Sequence, residues 1–156
     1  ATAMRLLKFI KGKNVVLITN NARAASVPRD PGIELILTGG EVYGDKHSLI
    51  GEFAQNTISR VRATKSVIGV SGISVRGGIT SSVLQETAIN QLMLKRCSGP
   101  KIVVADGSKV GIERNFLSGT ISDITHLITD RSAESEELDR LREKGLQVTV
   151  IDEPAD

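Results

Sequence analysis

Short runs of valine, isoleucine and leucine recur along the chain, and they limit the folds that it can adopt. None of these runs alternates strictly between apolar and polar residues. They are Val15–Ile18, Ile33–Leu37, Val67–Val70, Ile102–Val104, Leu127–Thr129 and Val148–Ile151. A strand with one face in water alternates, whereas a strand covered on both faces is apolar at consecutive positions. The runs therefore predict strands of a sheet that is covered on both faces.

Helical patterns lie between the predicted strands. Apolar residues spaced three and four apart predict helices near residues 3–10, 50–61 and 84–95. A further helix near the end of the chain has acidic residues in its first turn and turns Leu138 and Leu141 inward. The alternation of strands and helices predicts an α/β fold, with a mostly parallel sheet flanked by helices.

The composition is that of one globular domain. The chain has 156 residues, of which 40% are hydrophobic, and no repeat or proline-rich linker divides it. We therefore expect one domain over residues 1–156. With 20 basic and 18 acidic residues the net charge is +2, which is too nearly balanced to indicate nucleic-acid binding.

The residue types that are scarce also narrow the function. No apolar run is long enough to cross a membrane and the one cysteine cannot form an internal disulfide, so we expect a cytoplasmic protein with no membrane partner. Aromatic residues make up 3% of the chain, which leaves few surfaces for stacking on bases or planar cofactors. His47 and His126 lack metal-ligand spacing to each other or to Cys97, so no metal and no cofactor is expected.

Small polar residues and glycines follow four of the predicted strands. These segments are Thr19-Asn20-Asn21, Thr38-Gly39-Gly40, Ser71-Gly72-Ile73 with the nearby Arg76-Gly77-Gly78-Ile79-Thr80, and Asp106-Gly107-Ser108-Lys109. In open α/β sheets, ligands bind at the carboxyl ends of the strands, where such segments meet. Glycine lets backbone N–H groups approach an anion, hydroxyls and amides donate to it, and lysine adds a positive charge. Together the segments predict a pocket for a phosphate or a polyol.

Each segment has a plainer interpretation when it is taken alone. Two glycines after a strand often form only a turn, and two asparagines at such a place often serve only as a cap. Arg76 is equally consistent with a surface charge, and the Asp106–Lys109 segment with a solvated loop. The pocket is favoured because the segments converge.

The order and spacing of these motifs resemble the carboxy-terminal effector domain of DeoR-type bacterial transcriptional regulators. The matching segments are Leu17–Asn21, Ile36–Gly40, Leu49–Gly51, Ile68–Ile73, Gly78–Thr80, Gln85–Ala88 and Val104–Gly111. The resemblance covers nearly the whole chain. It implies a fold similar to ribose-5-phosphate isomerase and the CoA transferases, and an effector that is a phosphorylated sugar or a related metabolite.

The family pattern also implies what lies outside this chain. A typical sensor of the family begins with a strand and a Gly-Thr-Thr phosphate loop before its first helix, and only Ala1 and Thr2 of that region are expected here. The family joins its sensor to an amino-terminal winged helix-turn-helix. We therefore expect operator DNA as a partner only through that missing domain, and a homo-oligomer as the intact protein.

The strand ends and the resemblance together predict a set of ligand-binding residues. The set is Thr2, Thr19, Asn20, Asn21, Gly39, Gly40, Ser71, Gly72, Arg76, Gly78, Thr80, Glu86, Asp106, Ser108 and Lys109. Lys109 is expected to face the phosphate, because it closely follows a strand, lies between two glycines and matches the family's Asp-x-Ser-Lys segment. Asp106 is expected to orient that loop. The chain is interpreted as the effector-binding domain of a DeoR-type transcriptional repressor.

Two other functions are weighed against this interpretation. A sugar-phosphate isomerase on the same scaffold would need a carboxylate base aimed at its substrate. Isomerases resembling this fold carry Asp-Gly-Ala-Asp and Lys-Gly-Gly-Gly segments, where this chain has Val70–Ile73 and Arg76–Gly78. Arginine cannot shuttle a proton, because its guanidinium stays charged. A purely structural or protein-interaction domain would leave the strand-end glycines and Lys109 without a shared purpose, so the sensor is favoured.

Overall fold

The computed structural model describes residues 2–152 and divides into two compact units, Ala1–Val61 and Arg62–Asp156. The helices are α1 (Thr2–Arg5), α2 (Gly51–Ser59), α3 (Leu84–Lys95) and α4 (Ser135–Glu143). The strands are β1 (Val15–Thr19), β2 (Ile33–Leu37), β3 (Glu41–Tyr43), β4 (Ser48–Ile50), β5 (Ser66–Gly69), β6 (Gly72–Ser74), β7 (Gly78–Ser81), β8 (Lys101–Val104), β9 (Phe116–Gly119), β10 (His126–Asp130) and β11 (Gln147–Ile151). Within the described range, no helix has both the length and the apolar character of a membrane span.

The first unit contains a parallel strand pair, a hairpin and a helix. Strands β1 and β2 pair in parallel, with Val15 opposite Ile33, and β3 and β4 form an antiparallel hairpin. Helix α2 follows β4 directly and buries Ala54 and Ile58. The spacing of four residues between these side chains is that of one helix face, as the apolar pattern predicted.

The second unit is built on a four-stranded parallel sheet in the order β11-β10-β8-β5. Its registers place Ile68 beside Val103 and Val103 beside Leu127, so one row of buried side chains crosses β5, β8 and β10. Helix α3 packs against β5, and α4 packs against β11. Cover on both faces explains the consecutive apolar residues in β5, β8 and β10. The expectation was wrong for β11, where exposed and half-buried residues alternate and Ile151 is 40% exposed, because this strand lies at the end of the sheet. The predicted α/β class with a mostly parallel sheet flanked by helices is confirmed.

An antiparallel sheet of three short strands, in the order β6-β7-β9, was not expected. The sequence interpretation treated the segment around Gly77 and Gly78 as a loop, but Gly78–Ser81 is a strand. Gly78 has a φ of +70°, and a Cβ atom there would collide with the carbonyl oxygen of Gly119 on β9. Glycine is therefore needed at this position, because the backbones of β7 and β9 come close together there. A glycine inside a strand also makes the strand hard to predict from its residue pattern.

The chain also departs from the predicted helix near residues 3–10. Helix α1 gives way to a 3-10 turn over Leu6–Lys8. In a 3-10 turn side chains repeat every three residues, so a spacing of three and four does not describe one buried face. Leu7 is accordingly buried, whereas Leu6 is 41% exposed.

The inward stripe predicted for the last helix is confirmed. Leu138 and Leu141 of α4 are 4% and 0% exposed and belong to the same apolar cluster as Val103 and Leu127. Gly145 follows the helix with a φ of +91°, the left-handed conformation that commonly ends a helix. Helix α4 is therefore fixed to the sheet by its apolar face.

We expect Leu141→Ala to lower the free energy of unfolding by about 2–5 kcal/mol, because it leaves a cavity in a closed core. Leu84→Ala is the matched control, since Leu84 is also helical but 58% exposed. Chemical denaturation of both variants measures the difference. A loss below about half a kcal/mol for Leu141→Ala would contradict its core position.

Candidate ligand-binding site

The carboxyl ends of three neighbouring parallel strands lie at one edge of the sheet in the second unit. Strand β5 leads into Ser71, β8 leads into the loop 105–111, and β10 ends at Asp130. Since all these strands run in the same direction, the three segments meet at this edge. Two of them were predicted from the sequence, and the segment after β10 was not.

The loop after β8 begins with a cap made by Asp106. Its carboxylate oxygen Oδ1 accepts a hydrogen bond from the backbone N–H of Ser108 at 3.0 Å, and also one from the Ser108 hydroxyl. The Asp106 carbonyl accepts from the N–H of Lys109 at 3.0 Å, which closes a 3-10 turn over Gly107–Lys109. Asp106 therefore caps the turn that leads to Lys109, and its role in orienting a ligand-binding loop stays a prediction. The turn leaves Lys109 half-buried at its end.

A second aspartate, Asp130, binds the same loop through its side chain. The sequence did not predict this residue as part of the site. Its side chain is 6% exposed, and Oδ2 accepts from the N–H of Gly107 at 3.1 Å. Its other oxygen accepts from the N–H of Ser132 at 2.8 Å and from the Ser132 hydroxyl at 2.5 Å. These hydrogen bonds, chiefly that from the Ser132 hydroxyl, lower the pKa of Asp130 below its ordinary value. One ionised carboxylate therefore joins the ends of β8 and β10.

The close contact between these loops requires glycine at position 107. A Cβ atom on Gly107 would collide with the backbone nitrogen of Ala133 and with Ser132. The sequence signal for this contact is the Asp130-Arg131-Ser132 segment, because Asp followed two residues later by Ser is typical of a side-chain-capped turn. This segment lies directly after a predicted strand, as the other predicted site segments do.

Strand β6 brings Ser71 and Gly72 to the loop that carries Lys109. Ile73 and Val110 form an isolated parallel bridge, and the N–H of Gly111 donates to the carbonyl of Ile73 at 2.8 Å. Since Lys109 precedes Val110 and Gly72 precedes Ile73, the backbones of these two predicted site residues are neighbours. The structure thus brings together the predicted residues of the β5 and β8 ends.

The hydroxyl of Thr80 is engaged with the protein itself. Thr80 is 4% exposed, and its hydroxyl accepts from the N–H of Arg114 at 2.9 Å and donates to the Gly72 carbonyl at 3.4 Å. The N–H of Ser71 donates to the Thr80 carbonyl at 3.1 Å. Thr80 therefore orders the backbone around Ser71 and Gly72, and its role as a direct ligand contact stays a prediction.

Glu86 and Arg76 lie on opposite sides of strand β7 in the chain. Glu86 is half-buried in the first turn of α3, where Oε2 accepts from the Ser81 hydroxyl at 3.3 Å. Arg76 is exposed in the turn between β6 and β7, and Gly78 begins β7. The Glu86 carboxylate is thus held by Ser81 at the end of β7, and a role of Glu86, Arg76 and Gly78 in ligand binding stays a prediction.

Three of the predicted residues in the first unit make hydrogen bonds within that unit, namely Thr19, Asn20 and Asn21. Asn21 caps the 3-10 turn Ala22–Ser26 through its oxygen Oδ1, and its own N–H donates to the Thr19 hydroxyl at 3.2 Å. The Asn20 amide donates to the Leu49 carbonyl at 3.3 Å. The same unit contains Gly39 and Gly40, both exposed, while the side chain of Thr2 lies outside the described part of the structure. Participation of these residues in a ligand site stays a prediction.

The acidic, histidine and cysteine side chains do not gather into a metal site in the described part of the chain. Within residues 2–152, no group of three or more His, Cys, Asp and Glu side chains is arranged to hold one. Asp130 satisfies its oxygens with N–H and O–H donors instead.

The fold and the loop at the sheet edge define an α/β domain with a lysine presented at the carboxyl ends of parallel strands. The chain belongs to the family described as the DeoR C terminal sensor domain, which matches residues 1–131. This match confirms the family that the motifs predicted.

Several curated transcriptional regulators are similar to this chain. It is 29% identical over 153 residues to the HTH-type transcriptional repressor GlcR of Bacillus subtilis, covering 97% of the chain and 58% of that protein. It is 27% identical over 154 residues to the HTH-type transcriptional regulator GolR of Listeria innocua, covering 97% and 60%. It is 28% identical over 125 residues to the glycerol-3-phosphate regulon repressor of Escherichia coli K12, covering 78% and 48%. The chain thus spans about half to three fifths of the length of these relatives.

We expect Asp130→Asn to destabilise the protein at neutral pH by about 1–3 kcal/mol, because an amide NH2 replaces one acceptor oxygen and faces an N–H or O–H donor. A lowered pKa in the folded state contributes stability above the ordinary value of about 3.8 and loses it as the pH falls through the folded value. The difference in Tm between wild type and variant should therefore be constant above about pH 5 and should narrow below about pH 4.

Asp139→Asn is the control for this measurement. Asp139 pairs with Arg142 at 3.0 Å but is 70% exposed, so its loss should cost less than about 1 kcal/mol. An equal loss of Tm in the two variants, or a difference for Asp130→Asn that does not change in acid, would contradict the role of the buried carboxylate.

Proposed function

We propose that this chain is the effector-sensing domain of a DeoR-type transcriptional repressor, and that it binds a phosphorylated sugar or a related metabolite at the β5–β8–β10 edge. The observation that carries the proposal is the loop after β8. It presents a half-buried lysine on a turn fixed by Asp106 and Asp130, in a chain that belongs to a sensor family. One relative is named a glycerol-3-phosphate regulon repressor, which supports a phosphorylated effector.

The chemistry of the edge suits a phosphate ester. Lys109 supplies a compact positive charge, and neutral hydrogen-bonding groups at Ser71 and Gly72 are its backbone neighbours. The carboxylate of Asp106 is directed to Ser108 and that of Asp130 to backbone donors. Both carboxylates therefore accept hydrogen bonds from the protein, and Lys109 is the cation that we propose for the phosphate.

The proposal extends to the kinship of the fold and to the intact protein. The fold is similar to ribose-5-phosphate isomerase and the CoA transferases, and the intact protein is a cytoplasmic homo-oligomer. Operator DNA is bound by a separate helix-turn-helix domain, since the nearly balanced charge of this chain offers little attraction for phosphate backbones. The effector releases DNA only if it binds more tightly to the conformation that cannot bind DNA than to the one that can. The coupling free energy between two such sites is typically about 1–3 kcal/mol.

A sensor of this kind has no catalytic turnover. We expect the chain to leave ribose 5-phosphate and comparable aldose phosphates unchanged in an aldose–ketose interconversion assay. The physical reason is that a general base must be free to take a proton, whereas the Asp130 carboxylate accepts hydrogen bonds from Gly107 and Ser132. Turnover that is abolished by a substitution at the sheet edge would show an enzyme instead.

We expect Lys109→Met to weaken binding of a phosphorylated effector about ten- to a hundredfold, because a hydrogen bond to a charged group contributes roughly 1.5–3 kcal/mol. Lys65→Met is the matched control, since Lys65 is exposed and precedes β5, at the opposite edge of the parallel sheet. Calorimetric titration with a phosphorylated sugar and with its unphosphorylated form measures the effect. The unphosphorylated sugar should lose much less affinity, because the lost contact is with the phosphate.

Two results would contradict this role of Lys109. One is an equal loss for both ligands, and the other is no loss for either ligand in a variant whose melting is normal. Either result would make Lys109 an ordinary surface lysine.

A further inference from the structure

One acidic residue of helix α4 is buried, although most charged residues of that helix are exposed. The side chain of Glu137 is 9% exposed, whereas its neighbour Glu136 is 69% exposed. Oxygen Oε1 of Glu137 accepts a hydrogen bond from the backbone N–H of Val75 at 2.7 Å. Oxygen Oε2 lies 3.3 Å from the Arg140 guanidinium. A helix side chain thus holds a backbone group that is 62 residues away in the chain.

The group held by Glu137 belongs to the turn that carries Arg76. Val75 precedes Arg76, and on the other side the N–H of Gly77 donates to the Ser74 hydroxyl at 2.8 Å. Both backbone neighbours of Arg76 are therefore fixed by a side-chain acceptor, while Arg76 itself is exposed. The backbone that carries this cation is ordered before any ligand binds, which lowers the cost of binding.

Glu137 also lies against the other loop that carries a cation. Its Cγ atom is 3.9 Å from the point where a Cβ atom of Gly111 would stand. Gly111 ends the loop that contains Lys109, and its N–H donates to the carbonyl of Ile73 on β6. The same side chain thus lies beside the Lys109 loop and holds the Arg76 turn.

We infer that Glu137 is a positioning residue of the effector site, which holds the Arg76 turn against the Lys109 loop so that both cations bind one phosphate group. This inference rests on the proposed function of the edge. It assigns Arg76 to the phosphate, and it makes helix α4 the element that sets the distance between the two cations. A displacement of α4 would then change the affinity for the effector.

The reach of the side chain matters in this arrangement, and its charge does not. The hydrogen bond from Val75 needs an acceptor oxygen at the end of a side chain as long as that of glutamate. Arg140 is 53% exposed, so its ion pair with Glu137 contributes little. Glu137→Gln keeps the reach and loses the charge, whereas Glu137→Asp keeps the charge and loses the reach.

The test is an NMR titration of the chain with inorganic phosphate, together with amide hydrogen exchange of Val75. Glu137→Asp should weaken phosphate binding about tenfold and speed exchange of the Val75 amide. Glu137→Gln should keep the phosphate affinity and the Val75 exchange rate within about twofold of the wild type, since its amide oxygen accepts the same hydrogen bond. Glu136→Asp is the control, because it shortens an exposed neighbour on the same helix.

The outcomes separate the inference from the proposed function. Wild-type phosphate affinity in Glu137→Asp, or an equal loss in Glu137→Gln, would overturn the positioning role. If the wild type binds no phosphate, the proposed function fails at this edge. The exchange of Val75 and the amide shift of Lys109 in Glu137→Asp then still decide the inference, which requires both to change.

Discussion

The buried carboxylate of Asp130 is the contact on which the arrangement of the sheet edge depends. It joins the loop after β8 to the segment that leads into α4, through hydrogen bonds to Gly107 and Ser132. The N–H groups at a strand end and in a tight turn have no partner in the sheet, and burying them unpaired is costly. An ionised acceptor at this point satisfies them and lowers its own pKa in doing so.

Two other acidic groups near the edge follow the same principle. Asp106 caps the turn that leads to Lys109, and Glu137 accepts from the turn that leads to Arg76. Each of these two carboxylates therefore orders a segment of backbone. The binding chemistry that we propose is thus left to positive side chains and N–H groups, which suits an anion.

The sheets show where pattern analysis succeeds and where it fails. The apolar runs at Val67–Val70 and Ile102–Val104 predicted strands because burial on both faces requires consecutive apolar residues. Gly78–Ser81 was missed, because a glycine with positive φ and small polar residues look like a loop. What makes it a strand is pairing with β6 and β9, from other parts of the chain. The local composition of a segment does not predict such pairing with distant strands.

The sequence by itself determined the α/β class, the apolar stripe of α4 and the family, because all of these depend on local periodicity or on adjacent residues. Only the tertiary structure decided that Asp130 lies under Gly107 and that Glu137 reaches Val75. Both contacts join residues far apart in the chain, and each needs a particular register of the strands and a particular position of α4. Those are set by the packing of the whole unit, since a side chain of fixed length finds its distant partner only when the intervening core is in place.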